Sequence, residues 1–331
     1  MRSNINPFIL DVYFSRKYLI EDKYFHSLCD IISYIKIKRL IMKIALIQQK
    51  YYGSKDKTIK VTIDKIKKAS NSGAKLVVLQ ELHQNEYFPQ RQSVEFFDYA
   101  NNYKKDIEYW ASIALLYKVV LVTSLFEKRT EGLYHNTAVV FDSDGSVAGK
   151  YRKMHIPDDP GFNEKFYFTQ GDLGFEPINT TIGRLGVLIC WDQWYPEASR
   201  IMALKGAEIL IYPTAIGWFD EDTKEEKNRQ LDSWITIQRS HAIANGLPVI
   251  SCNRVGLEVD KSSIIDGIRF WGNSFVCDAQ GAILVQANDR DEEILLVDID
   301  MDFTKQQRDI WPFLRDRRID AYSDISKRYC D

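Results

Sequence analysis

Short apolar segments alternate along this chain with longer amphipathic ones, and this alternation restricts the fold more than any other feature of the sequence. The apolar runs predict strands at 43–49, 75–80, 119–124, 186–189, 208–212, 248–253 and 294–299, and the stretches between them predict helices at 54–71, 93–117, 196–206 and 224–245. Two stretches, 135–153 and 270–287, instead predict hairpins around turns that end in glycine. Elements in this order predict an α/β protein with mixed sheets covered by helices.

The composition is that of a globular protein. Hydrophobic residues make up 45% of the 331 residues and charged residues 27%, so we expect a core that needs no disulfide or metal to hold it. Lys and Arg number 44 against 46 Asp and Glu, a net charge of −2. Nucleic-acid-binding proteins usually carry a basic excess, so we expect no nucleic-acid partner. No apolar run approaches the ~20 residues of a membrane span, so we expect no membrane partner.

The cysteines and histidines are scattered rather than clustered. The five cysteines include no Cys-x-x-Cys pair, which argues against a zinc ribbon, a thioredoxin-like site and a disulfide framework. The five histidines include no His-Glu-x-x-His motif. These patterns predict a protein of the reducing cytoplasm without a metal cofactor, with a site built of carboxylates alone as the open alternative.

Residues 1–41 differ from the rest of the chain. They carry seven Lys or Arg and four Asp or Glu, a net charge of +3. They lack the small-residue cleavage site of a secretory signal, and charged residues interrupt the apolar stretch that such a signal needs. Because Met42 directly precedes the first predicted strand, we expect 1–41 to be an upstream over-extension of the reading frame and 42–331 to be one domain. The alternative is an amphipathic arm that docks on the domain or on a partner.

Cys190 is the strongest candidate for chemistry. It follows the predicted strand 186–189 and precedes a helix that begins at Pro196. Such strand–turn–helix junctions lie at the carboxyl end of a sheet, where ligands of α/β proteins usually bind. The backbone N–H groups of the turn can receive an oxyanion, and the helix dipole favours a thiolate. From position alone, a buried core cysteine is the commoner alternative.

Three further residues have the chemistry of a hydrolytic site. Glu81 ends the strand 75–80, so it faces the same sheet edge and can act as a general base, with a surface carboxylate as the alternative. Lys153 ends the first hairpin, where an inward-pointing ammonium can stabilise negative charge, with a solvated lysine as the alternative. Glu164 lies among aromatic residues and is either a second pocket carboxylate or a helix-end charge.

Taken in order, the motifs around these residues resemble the nitrilase, or carbon–nitrogen hydrolase, superfamily. They are a Glu at a strand end, Lys-x-His-x-Pro, Glu-Lys-x-Tyr-Phe and Cys-Trp-Asp-x-Trp-x-Pro-Glu, and the likeness covers essentially all of 42–331. The resemblance implies a four-layer α-β-β-α sandwich in which two sheets pack face to face with helices outside. It implies four roles: Cys190 as the nucleophile, Glu81 as the general base, Lys153 as the oxyanion-stabilising cation and Glu164 as an auxiliary carboxylate.

Within the superfamily, this chain most resembles the branch whose members hydrolyse N-carbamoylputrescine in polyamine synthesis. The segments that carry the likeness are 80–82, 153–161, 190–198, 212–217 and 251–254, with Gln80 where many members have proline. The resemblance implies cleavage through a covalent Cys190 intermediate to putrescine, ammonia and carbon dioxide, without a metal or an organic cofactor. A β-ureidopropionase or an ω-amidase, both acting on anionic substrates, is the alternative. A non-catalytic binding protein on this fold and a metal hydrolase are the alternatives from other classes.

The residues near the predicted site favour a small cationic substrate. D-Amino-acid carbamoylases place arginines for the substrate carboxylate shortly after the nucleophile, where this chain has Gln193 and Trp194. An alkyl-ammonium instead needs apolar walls and a carboxylate or aromatic face. We therefore expect substrate contacts from Trp191, Trp194, Asp158 and Asp232, with solvated loop charges as the alternative for the two acids. Members of the superfamily usually self-assemble, so the resemblance also implies a homodimer or larger oligomer.

Overall fold

The computed structural model describes residues 40–260 and 266–331. Residues 40–331 form one compact unit. The predicted N-terminal extension lies outside the described residues except for its last two, and Ile41 already belongs to the first strand, where it pairs with Asp300. The strand therefore begins one residue before Met42, and the start-site hypothesis stays a prediction.

The strands and helices follow the predicted order closely. The strands are β1 Ile41–Gln48, β2 Leu76–Leu79, β3 Val120–Thr130, β4 Leu133–Phe141, β5 Val147–Arg152, β6 Ile178–Thr180, β7 Gly183–Val187, β8 Ile209–Pro213, β9 Gly217–Trp218, β10 Val249–Cys252, β11 Val255–Glu258, β12 Ile268–Trp271, β13 Phe275–Cys277, β14 Ile283–Gln286 and β15 Glu293–Asp300. The helices are α1 Lys55–Asn71, α2 Tyr103–Tyr117, α3 Glu164–Tyr167, α4 Pro196–Leu204, α5 Lys224–Asn245 and α6 Met301–Ile310. Ser54 caps α1 as its side chain predicts, accepting a hydrogen bond from the N–H of Lys57.

The predicted helix over 93–117 is divided into two pieces. A 3₁₀ segment covers Val94–Ala100, and only Tyr103–Tyr117 is α-helical. Phe96 and Phe97 are neighbours in sequence, yet both pack into one aromatic cluster: Phe96 lies 5.7 Å from the ring of Phe88, and Phe97 lies 4.7 Å from that of Tyr134. Tertiary packing of adjacent rings thus overrides the helical pattern here.

The strands form two six-stranded mixed sheets and one small three-stranded sheet. The first sheet has the order β15-β1-β2-β3-β4-β5, the second β14-β13-β10-β8-β7-β6 and the third β11-β12-β9. The strands β1–β3 and the strands β7, β8 and β10 run parallel, because helices make crossovers between them. Hairpins add the antiparallel strands β4, β5, β6 and β14. Strand β15 lies at the other edge of the first sheet, antiparallel to β1. Glu81 lies two residues after the carboxyl end of β2, and Cys190 lies three residues after that of β7.

Alternate residues of the first sheet face two different layers, as the two-residue period of a strand requires. Val78 belongs to a core shared with Ile211 of the second sheet. Val77 faces the opposite way and packs with Ile66 of α1 and Trp110 of α2. Helices α4 and α5 contact the second sheet from its other side. The architecture is the expected four-layer α-β-β-α sandwich. Each fully buried large aliphatic side chain in it stabilises the folded state by roughly 1.5–3 kcal/mol relative to an exposed one.

Three further features of the described chain bear on its chemistry. None of the helices within 40–260 and 266–331 is long and apolar enough to cross a membrane. The cysteines in these ranges, Cys190, Cys252, Cys277 and Cys330, are all free. In the same part of the chain, no group of three or more His, Cys, Asp or Glu side chains is arranged to hold a metal ion.

Candidate active site

Cys190 lies at a strained turn shortly after β7. The turn, Cys190–Trp194, is a short 3₁₀ segment that leads into α4. The φ angle of Cys190 is +44°, a left-handed conformation that costs a non-glycine residue about 1 kcal/mol or more. Its side chain is 5% exposed, and Sγ lies 3.8 Å from the carbonyl oxygen of Ala215. Strain of this kind persists only where the surroundings hold it, so the turn presents the thiol in a fixed orientation.

The buried carboxylate of Asp192 holds this turn in place. One oxygen accepts hydrogen bonds from the main-chain N–H of Ile189 at 2.9 Å and from the hydroxyl of Tyr151 at 2.8 Å. The other oxygen accepts from the main-chain N–H of His155 at 3.0 Å and lies 2.7 Å from Nδ1 of the same residue. Asp192 thereby ties the turn to the end of β5 and to the loop that follows it.

Glu81 follows β2 and is completely buried. Its Oε1 accepts hydrogen bonds from Nζ of Lys153 and Nδ2 of Asn136, both at 2.7 Å. Its Oε2 is buried and has no hydrogen-bond partner among the residues that the structure describes. The next residue, Leu82, has a φ angle of +48°, which turns the chain away from the sheet. One oxygen of this carboxylate is thus fixed, and the other is available to accept a proton.

Lys153 lies between two carboxylates. It follows β5, its side chain has no exposed surface, and its Nζ is 2.7 Å from Oε1 of Glu81 and 2.6 Å from Oε2 of Glu164. Glu164 begins the short helix α3, and its Oε1 accepts a 2.7 Å hydrogen bond from the hydroxyl of Tyr87. The fold therefore brings Glu81, Lys153 and Glu164 into one buried cluster.

Burial and neighbouring charges determine the protonation of this site. Burial and the charge of Glu81 raise the pKa of the Cys190 thiol well above its usual value. This favours the protonated thiol and opposes the effect of the helix dipole. Burial lowers the pKa of Lys153, but the charges of Glu164 and Glu81 outweigh it and raise that pKa. Burial also raises the pKa of Glu164 to about 7. A protonated thiol needs a base before it can attack a substrate.

A cavity of about 560 Å³ opens beside Cys190. Of the four residues predicted to be catalytic, Cys190 lines the cavity, whereas Glu81, Lys153 and Glu164 are fully buried. Trp191 and Trp194, which were expected to contact the substrate, also line it. The wall further includes the aromatic side chains of Phe162, Phe219 and Trp271 and the charged ones of Asp159, Asp222, Glu226 and Arg229.

Comparison with known proteins identifies the family. The model of the family described as "Carbon-nitrogen hydrolase" matches residues 43–309. This chain belongs to the carbon–nitrogen hydrolase family. The resemblance inferred from the motifs is confirmed, and the chain is a hydrolase that acts on amide bonds.

Three relatives illustrate how similar the hydrolase is to known proteins. An N-carbamoylputrescine amidase of Oryza sativa subsp. japonica is 43% identical over 263 residues, 78% of this chain and 85% of that protein. A citrullinase of Francisella tularensis is 37% identical over 294 residues, 87% of this chain and 99% of that protein. The crystal structure of a carbon–nitrogen hydrolase from Helicobacter pylori G27 is 57% identical, covers 88% of this chain and 100% of that one, and has a TM-score of 0.86.

The carboxylates on the cavity wall of the hydrolase differ from the two proposed from the sequence. Asp158 is exposed and does not line the cavity, whereas its neighbour Asp159 does line it. Asp232 on α5 is likewise exposed and off the wall, whereas Ser233 lines it. Successive residues of a helix point about 100° apart, so a shift of one position moves a side chain from the cavity to solvent. Residue type and sequence proximity therefore do not determine which acids line the cavity, and the substrate contacts of Asp158 and Asp232 stay a prediction.

The sequence reasoning missed other residues of the hydrolase site. Glu226, Arg229, Gln230 and Ser233 line the cavity from one face of α5, and Arg229 forms an ion pair with Glu226. Their spacing of three, four and seven residues is the helical signal that would have found them. Tyr87 and Asn136 contact the buried cluster from distant parts of the chain, and no local pattern in the sequence marks them.

Proposed function

We propose that this hydrolase cleaves the ureido group of N-carbamoylputrescine through a covalent intermediate on Cys190, releasing putrescine, ammonia and carbon dioxide. The observation that carries the proposal is the asymmetry of the Glu81 carboxylate. Its Oε1 is held 2.7 Å from Nζ of Lys153, whereas its buried Oε2 has no partner in the described part of the chain. A carboxylate oriented in this way near a protonated thiol is suited to act as a general base.

The reaction proceeds in two stages at the carbamoyl carbon. Glu81 takes the proton of Cys190, and the thiolate attacks the carbon. Lys153 and the main-chain N–H of Trp191 stabilise the negative charge that develops on the carbamoyl oxygen. Glu81 then returns the proton to the leaving nitrogen as the C–N bond breaks, and the carbamoyl group stays on Sγ.

The second stage regenerates the thiol. Glu81 deprotonates a water molecule, which attacks the carbamoyl carbon and breaks its bond to Sγ; the proton passes to the sulfur. The carbamate that forms decomposes to carbon dioxide and the remaining amine or ammonia. Glu164 supports both stages by holding the ammonium of Lys153 at 2.6 Å, so that the cation does not have to reorient as charge develops.

The walls of the cavity suit a flexible alkyl chain that ends in a cation. Trp191, Trp194 and Phe219 offer apolar faces for methylene groups, and Asp222 and Glu226 offer carboxylates. An ammonium group is stabilised both by carboxylates and by aromatic faces. The relative named N-carbamoylputrescine amidase, which this chain covers over 85% of its length, supports the same substrate.

Citrulline is a second candidate, because of Arg229. Citrulline has the same ureido group and an ammonium at its far end, and it adds a carboxylate. Arg229 lies on the cavity wall, and a guanidinium can hold a carboxylate through two parallel hydrogen bonds. The relative named citrullinase, covered over 99% of its length, supports this alternative.

The proposal is tested by measuring ammonia release from three substrates: N-carbamoylputrescine, citrulline and N-carbamoyl-β-alanine. We expect the highest kcat/KM for N-carbamoylputrescine and at least roughly 100-fold less for N-carbamoyl-β-alanine, whose free end carries only a negative charge. A higher kcat/KM for citrulline would replace the proposed substrate with the second candidate. Preference for N-carbamoyl-β-alanine would favour the β-ureidopropionase alternative, and full turnover in Cys190→Ala would refute the covalent mechanism.

A further inference from the structure

Arg254 is a buried cation that lies off the cavity wall. It stands between β10 and β11 and is 1% exposed. Its Nη1 donates a hydrogen bond to the carbonyl oxygen of Asn85 at 3.0 Å. Its Nη2 donates to the carbonyl oxygens of Glu81 at 3.1 Å and Leu82 at 2.9 Å. Three main-chain carbonyl groups of the segment after β2 therefore converge on one side chain.

A second set of contacts leads from Arg254 to the other carboxylate of the cluster. Nη1 of Arg254 lies 2.5 Å from Oε1 of Glu258. Oε2 of Glu258 accepts a hydrogen bond from the main-chain N–H of Tyr87 at 2.6 Å, and the hydroxyl of Tyr87 donates to Glu164 at 2.7 Å. Lys153 bridges the side chains of Glu81 and Glu164. The hydrogen bonds therefore form a closed ring, which runs from Arg254 through Glu81, Lys153, Glu164, Tyr87 and Glu258 back to Arg254.

The segment that Arg254 holds is one that the backbone alone does not favour. Leu82 has a φ angle of +48°, and a non-glycine residue stays in this conformation only when its surroundings hold it. Glu81 immediately precedes it, so the direction of the Glu81 side chain depends on this turn. A planar guanidinium can serve several carbonyls at once, whereas the ammonium of lysine is a point charge on a flexible chain.

We infer that Arg254 is a positioning residue for the hydrolytic site: it orients Glu81 through the turn at Glu81 and Leu82, and orients Glu164 through Glu258 and Tyr87. The inference rests on the proposed function, because it takes Glu81 to be the base that activates Cys190. Arg254 itself contacts neither Cys190 nor the cavity wall among the described contacts. Its effect on the reaction is therefore exerted through the two carboxylates.

The test compares Arg254→Lys with the matched variant Arg239→Lys. Arg239 lies on α5, and its Nε likewise donates to a main-chain carbonyl, that of Gly281, at 2.7 Å. Two experiments are made on the full-length protein. The first measures kcat and KM for N-carbamoylputrescine. The second measures the rate at which iodoacetamide alkylates Cys190 over a series of pH values, followed by mass spectrometry of the Cys190 peptide. Circular dichroism and thermal unfolding establish that each variant is folded.

A misplaced base lowers the rate of the chemical step more than it weakens binding. In Arg254→Lys we expect kcat to fall roughly 10- to 100-fold with KM changed less than about threefold, since small displacements of catalytic groups have effects of this size. Because the charge of Glu81 raises the pKa of the Cys190 thiol, displacing Glu81 should move the pH profile of Cys190 alkylation to lower pH. Arg239→Lys should match the wild type in its kinetic constants and in its alkylation profile. A folded Arg254→Lys protein with wild-type kcat and a wild-type alkylation profile would overturn the inference.

If Arg254→Lys does not fold, a second variant, Glu258→Gln, tests the positioning role of Arg254. Glu258→Gln keeps the size of the side chain but removes one of the two acceptors that join Arg254 to Tyr87. We expect roughly a 3- to 10-fold loss of kcat and the same direction of shift in the alkylation profile, and a wild-type result would overturn the inference. Alkylation needs no substrate, so failure to hydrolyse N-carbamoylputrescine would count against the proposed substrate alone. An unchanged alkylation profile in Glu81→Gln would instead count against Glu81 as the base.

Discussion

The ammonium of Lys153 lies 2.6 Å from the carboxylate of Glu164, and neither side chain has any exposed surface. Glu81 contacts the same ammonium at 2.7 Å. Removing three charged groups from water is costly, and their attraction repays this only when the geometry is good and the remaining polar atoms are bonded. Loss of one member of such a cluster leaves an uncompensated buried charge, so its effect should greatly exceed the loss of a surface ion pair.

Lys153→Met is expected to impair both catalysis and stability. It leaves Glu81 and Glu164 facing each other without the cation and removes the proposed oxyanion stabiliser. We expect kcat for ammonia release to fall at least roughly 10²- to 10³-fold and the free energy of unfolding, measured in urea, to fall by about 3–5 kcal/mol. The control is Lys150→Met on β5, the strand that Lys153 follows, because Lys150 is 35% exposed and pairs with Glu127. This variant should keep its kcat and lose less than about 1 kcal/mol of stability. Substantial activity in Lys153→Met would contradict its proposed role.

The raised pKa of Glu164 predicts a pH dependence near neutrality. Burial raises this pKa to about 7, so the carboxyl gains a proton as the pH falls through about 7 and its attraction for Lys153 weakens. We therefore expect kcat/KM to fall as the pH falls below about 7 and to level off above it. In Glu164→Gln the titrating group is absent, so this limb of the profile should disappear or move to lower pH. A limb that stays at about pH 7 in the variant would assign it to another group.

Charged residues on α5 are expected to determine substrate preference. Glu226→Gln removes a carboxylate from the cavity wall and should lower kcat/KM for N-carbamoylputrescine by roughly 5- to 50-fold, mainly through KM. Arg229→Gln removes the cation and should lower kcat/KM for citrulline in the same way, while leaving that for N-carbamoylputrescine unchanged or higher. Asp232→Asn, on the same helix but off the wall, should behave as the wild type with both substrates. If Asp232→Asn lost as much kcat/KM for N-carbamoylputrescine as Glu226→Gln, the result would support Asp232 as a substrate ligand, as proposed from the sequence.

Asp192→Asn is expected to loosen the turn that carries Cys190. The carboxylate is buried and accepts hydrogen bonds from Ile189, Tyr151 and His155, whereas an amide has one acceptor oxygen and leaves some of these donors unpaired. Each unpaired buried donor costs about 1–3 kcal/mol, so we expect thermal unfolding at a clearly lower temperature and a reduced kcat. The exposed ion pair of Asp220 with Arg269 supplies the comparison, because Asp220→Asn should change stability by less than about 1 kcal/mol. Equal melting temperatures for the two variants would show that Asp192 does not hold the turn.

Several predictions from the sequence agree with the structure because they depend on local patterns. The apolar runs that end at Glu81 and near Cys190 are strands, and parallel strands bring their carboxyl ends to one edge of a sheet. Helix α5 spans Lys224–Asn245 as expected, since Thr223 caps its start and Gly246 ends it in a left-handed conformation. The structure places the predicted substrate acids, Asp158 and Asp232, off the cavity wall, because packing rather than residue type decides which side of a loop or helix faces a cavity. Their contact with the substrate stays a prediction.

The sequence by itself determined the order of strands and helices, the family and the residues at the ends of the strands, because these follow from hydrophobic periodicity and from motifs a few residues long. Only the tertiary structure decided which oxygen of Glu81 is bonded, which charged side chains line the cavity, and that Arg254 joins the two carboxylates of the site. Those relationships connect residues far apart in the chain, such as Arg254 and Glu81. Their distances are set by how two sheets pack against each other, and no local pattern encodes that packing.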